Sequence, residues 1–162
     1  YDQWSAFRQW ISAELLRKDR EDVLSVRPDA RLAFYSYPLR DGKLPGFVKD
    51  NPMNPILWDE VGDINLISMY SILGEKYLDV LDDTVKVLKK EVWACPYLTK
   101  PTSLLQDTGY VDVDADEWYF QIISTAASGA RGLAPTRAQR VTLLRPGCGR
   151  RIRAVFRFRL TW

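Results

Sequence analysis

Three apolar runs of strand length, at residues 30–37, 63–71 and 92–97, are separated by segments of helical periodicity, and this alternation restricts the chain to an α/β architecture. Trp4, Phe7, Ile11 and Leu15 recur at helical spacing with Trp10 alongside, predicting an opening helix with one buried stripe that Pro28 stops. Asn54 as N-cap, Pro55 at the first helical position and Gly62 past the end predict a two-turn helix over 55–61. A longer helix is expected over 75–90, with Leu78, Leu81, Val85 and Leu88 on one face and Lys86, Lys89 and Lys90 late, where the helix dipole favours them. Asp114 and Glu117 form a capping-box-like start to a further helix, in which Trp118, Ile122, Thr125 and Gly129 continue the spacing. Gly132-Leu133 begins a fourth strand, and a loop precedes Asp112. Strands that alternate with helices in this way predict a parallel sheet with right-handed crossovers.

At 162 residues and 46% hydrophobic content, the chain suits one domain with its own core. The absence of histidine excludes Ser-His-Asp and Cys-His nucleophile systems and removes the commonest transition-metal ligand. Cys95 and Cys148 lack metal-site or disulfide-framework spacing, so neither metal nor cofactor is expected, and the redox compartment stays open. No apolar run reaches membrane-spanning length, so no membrane partner is expected, and Tyr1 in place of Met reads as a processed or excised N-terminus.

All 21 acids lie before residue 131, whereas the last 32 residues carry nine Arg, no Lys and no acid. The expected division is therefore a body over 1–133 and an Arg-rich tail over 134–162. In the tail Ile152, Ala154, Phe156, Phe158 and Leu160 alternate with Arg151, Arg153, Arg157 and Arg159, as in an added amphipathic strand. Such a tail could hold nucleic acid or another anionic partner, which would make the chain a non-catalytic α/β module. The abrupt loss of acids and Lys favours another account, that the tail is sequence from a shifted reading frame in GC-rich DNA.

Function in parallel α/β sheets gathers where strands end and the following loops begin. Here those ends read Tyr35-Ser36-Tyr37, Ser68-Met69-Tyr70 and Cys95-Pro96-Tyr97. A tyrosine ring offers an apolar face to sugar C–H groups and a hydroxyl to sugar oxygens, so Tyr35, Tyr37, Tyr70 and Tyr97, with Trp58 nearby, are the candidate carbohydrate-binding residues. The same rings could instead cap the packing of the strands. Asp59 and Glu60, late in the short helix, read as solvated helix charges, Asp41, Asp50 and Asp107 as loop acids, and Asp79, Asp82 and Asp83 as the exposed side of a helix.

The runs 26–35 and 63–70, and Phe120-Gln121-Ile122 through Gly132-Leu133, resemble strands five to eight of TIM-barrel glycoside hydrolases over roughly residues 1–133. The resemblance implies half of a (β/α)8 barrel, a carbohydrate partner and hydrolase chemistry by two carboxylates at strand ends. This chain departs from that pattern: none of its three clear strands ends in Asp or Glu, and the acid usual on strand four would fall before Tyr1. The catalytic residues are thus unassigned, and the expected product is a carbohydrate-binding segment incomplete as a catalyst. Four strands cannot close a barrel, so self-association or a missing barrel half is expected to cover what remains open.

Overall fold

The computed structural model describes residues 2–46, 50–70, 72–96, 99–101 and 110–135. Its elements run α1 (Asp2–Val26), β1 (Ala33–Ser36), α2 (Pro55–Asp59), β2 (Ile64–Ser68), α3 (Glu75–Val87), β3 (Glu91–Cys95), β4 (Thr99–Pro101), β5 (Tyr110–Asp112), α4 (Ala115–Ala127) and β6 (Gly132–Leu133). Strands β1, β2, β3 and β6 form one sheet in that order, every pair parallel. The expected α/β alternation is present. The tail expected over 134–162 lies, from residue 136 on, outside the described residues.

Register assigns the two faces of the sheet. Phe34, Asn65 and Val92 align across the strands, as do Ser36, Ile67, Ala94 and Leu133, and these point toward the helices. Ile67, Val92 and Ala94 form a buried core with Leu39, Met69, Tyr77, Val80, Leu81 and Leu88, and Phe120 of α4 packs against it. Phe34 meets Trp58 of α2 edge-on at 6.1 Å between ring centroids. Thus α2, α3 and α4 all cover one face. Tyr35, Leu66, Trp93 and Gly132 align on the other, each half-buried.

Two glycines are required by close approach. A Cβ on Gly132 would stand 2.4 Å from the Trp93 ring, and one on Gly62 would stand 2.7 Å from the Phe34 ring. A side chain at either position would displace an aromatic ring from the sheet.

Local capping follows the residue types. Asn54 accepts from the Ile56 N–H with Pro55 at the helix start, and Asp114 accepts from the Glu117 N–H at 2.8 Å. The long link after β1 is tied to α3: the Leu39 N–H donates to Thr84 Oγ1 at 2.9 Å, and the Asp41 N–H donates to Asp83 at 3.0 Å.

Three expectations need correction. The opening stripe is not buried: Trp4, Phe7, Trp10, Ile11 and Leu15 are exposed, and α1 docks instead through its opposite face, where Ser5 and Ala13 are buried. Polar bonds fix that docking, with Ser5 donating to Asp50, Asn54 donating to Gln9, and Arg20 gripping Asp63 through two bonds of 2.8 and 3.1 Å. Asp59 is not a solvated helix charge. It is buried and accepts from Asn65 Nδ2 at 2.7 Å and from the backbone N–H groups of Lys89 and Lys90 at 2.8 and 3.0 Å, joining α2 to the turn before β3. Finally, the loop expected before Asp112 contains the antiparallel pair β4–β5, whose three-residue strands are too short to leave a periodic signal.

Candidate functional site

The C-terminal ends of β1, β2 and β3 share one edge because the strands are parallel and closely in register, Ser36 lying opposite Ile67 and Ser68 opposite Cys95. This edge brings Tyr35 and Tyr70 together, with ring centroids 5.9 Å apart and planes tilted by 42°. Tyr35 points to the face opposite the helices, as do Ser68 and Cys95 by the alternation of the strands.

The two rings play different parts. The Tyr35 hydroxyl is buried without a geometrically complete hydrogen bond. Burial raises its pKa well above the ordinary phenol value; the nearby Ser68 hydroxyl opposes that rise, and Tyr70 and Cys95 add to it. Tyr35 therefore stays neutral. Tyr70 is half-buried beside it, just beyond the end of β2. Cys95 is buried as a free thiol and burial pushes it up to about 12, so it is a packing residue rather than a nucleophile at neutral pH.

The other candidates are dispersed. Tyr37 is half-buried beyond the end of β1, and its hydroxyl accepts from Asn51 Nδ2 at 3.4 Å. Trp58 is buried against Phe34 on the helix-covered face, across the sheet from Tyr35. Tyr97 lies outside the described residues. Ser68, Cys95 and Asn51 were not singled out by sequence; the first two could have been found by extending the two-residue alternation of Tyr35 across the register.

The chemistry available at this edge is that of ring faces and hydroxyls. No residue closing β1, β2 or β3 is a carboxylate. The strongly engaged acids stand at the opposite edge of the sheet: Asp63 before β2, accepting from Arg20 and the Leu32 N–H, Asp59 beneath β3, and Glu91 at the start of β3 paired with Arg31 at 2.9 Å. Arg20, opposed by partial burial, holds the Asp63 carboxyl below its usual range. Among the described residues, no group of three or more Cys, Asp or Glu gathers in a way that could hold a metal ion, and no helix is long and apolar enough to cross a membrane.

Comparison with protein-family models, with curated proteins and with solved structures finds no match for this chain. The glycoside-hydrolase likeness rests on the sequence runs alone.

Proposed function

We propose that this chain is a carbohydrate-binding α/β module, organised as half of a (β/α)8 barrel and lacking the carboxylate pair of a complete glycosidase. The observation that carries the reading is the Tyr35–Tyr70 ring pair at the C-terminal edge of two adjacent parallel strands. Parallel α/β proteins place their ligands at that edge, and a tyrosine held by a second ring offers a pre-set platform for a sugar face. The half-barrel organisation is supported by the strand order β1-β2-β3-β6 with α2, α3 and α4 on one face, which is what right-handed crossovers stepping in one direction produce.

In this reading Tyr70 stacks on the sugar, Tyr35 supports Tyr70 from below, and Tyr37 with Asn51 contributes polar contacts at the side. Titration of the full chain with soluble oligosaccharides, followed by tyrosine and tryptophan fluorescence, tests it. Saturable binding should vanish in Tyr70→Ala and persist in Tyr119→Ala, whose ring is exposed on α4. No saturable binding by the wild-type chain, or equal binding by both variants, would remove the proposal.

A further inference from the structure

We infer that the exposed apolar face of α1 is a self-association surface that pairs with the same face of a second copy of this chain. The inference stands apart from carbohydrate binding and shares no residue with the tyrosine edge. Trp4, Phe7, Ile11 and Leu15 lie along one side of α1 and are 61%, 45%, 40% and 59% exposed, with Trp10 at 53% beside them. Their rings already form a ladder: Trp4 stacks on Phe7 at 5.7 Å and Phe7 meets Trp10 at 6.1 Å. Ile11 and Leu15 continue into a depression of about 410 Å³ between α1 and α2, bounded by Pro52 and Trp58. The helix is held to the body from its other side, by Ser5, Gln9 and Arg20, so the apolar face is presented by a fixed element.

Area and charge together point to a second copy as the occupant. With roughly 150–250 Å² available on each large side chain, these exposed fractions amount to about 500 Å² per chain, and a self-paired face withdraws about 1,000 Å², the lower limit for a specific interface. The polar residues bordering the stripe carry both signs, Arg8 and Lys18 against Glu14 and Asp22, so neither a strongly acidic nor a strongly basic partner is favoured, and self-pairing collects no like charge. The stripe is also bounded. Lys18 and Asp22 occupy the positions that would continue it, which limits it to about three turns and suits a closed two-fold pairing over an open chain of contacts. The exposed apolar group on α4, Tyr119, Ile122 and Ile123, is smaller and contains no tryptophan.

Sedimentation velocity of the full chain across a wide dilution series tests the pairing, with Phe7→Glu, Ile11→Glu and, for the competing face, Ile123→Glu. The wild-type chain should pass from monomer to dimer with concentration. Phe7→Glu and Ile11→Glu should each raise the dissociation constant by about tenfold or more, while Ile123→Glu leaves it unchanged and all variants keep the wild-type circular dichroism and melting temperature. A wild-type chain that stays monomeric throughout, a dimer insensitive to both α1 substitutions or broken by Ile123→Glu, or growth without a dimer plateau would overturn the inference. Because Phe7 and Ile11 lie outside the buried core cluster and are 45% and 40% exposed, a loss of pairing without a loss of fold is readable.

Discussion

Helices α1 and α3 carry the same kind of apolar spacing, yet they use it in opposite ways. In α3, Tyr77, Val80 and Leu81 are buried against Ile67, Val92 and Ala94, so its stripe is the centre of the core. In α1 the stripe of Trp4, Phe7, Ile11 and Leu15 faces outward, and the helix is attached through a serine, an alanine and an Arg–carboxylate grip. Periodicity therefore guarantees a helix and a face, but which face meets the protein depends on what stands opposite it. Between two strands of the sheet there is an apolar surface for α3 to cover; beside α2 there are Asp50, Asn54 and Asp63, and α1 meets them with the residues that can bond to them.

The largest effect expected from this contrast is on the α3 side. Leu81→Ala should lower unfolding free energy by about 2–5 kcal/mol in urea denaturation, through lost burial and a residual cavity; a loss below about 1 kcal/mol would mean that the core is not centred on α3. Next, Asp59→Ala should cost about 2–3 kcal/mol, because it leaves the buried Asn65 amide and two part-buried backbone N–H groups without their acceptor. The same denaturation series would give little change if Asp59 were the solvated charge its sequence position implies.

A smaller effect attaches to α1 docking. Arg20→Ala should cost about 1 kcal/mol at neutral pH. Its pH dependence has a defined sign: Asp63 is more acidic in the folded chain than in the unfolded one, so the pair contributes above the unfolded carboxylate value of about 4 and is lost as pH falls through the lower folded value. The stability difference between the wild-type chain and Asp63→Asn should shrink over that acid range, and a constant difference would show that the grip does not form. The smallest effect is expected for Leu15→Ala, below about 0.5 kcal/mol under dilute conditions, since the side chain is exposed in the single chain.

The strand-and-helix order could be read from residues alone because each element is announced within a few positions: Pro28 after α1, Asn54-Pro55 at α2, Asp114 and Glu117 at α4. The alignment of tyrosines at one edge was also partly legible, since Tyr35 and Tyr70 close successive runs. Their pairing was not. It follows from the register that sets β1 beside β2, and the same register carries Trp58 to the far face with Phe34, away from the tyrosines it was grouped with. The β4–β5 pair leaves no mark in the sequence because three-residue strands are too short to carry a period.

By itself, then, the order of the amino acids determined the alternation of strands and helices, the starts of those helices and the parallel sense of the sheet, all of which follow from short-range sterics, capping and the length of the crossovers. Only the tertiary structure decided that α1 turns its aromatic side outward, that Asp59 is buried, and that Tyr35 and Tyr70 meet while Trp58 does not. These outcomes rest on partners about 30 to 45 residues apart in the chain, and no local pattern can say which distant surface a side chain will face once the backbone has closed around it.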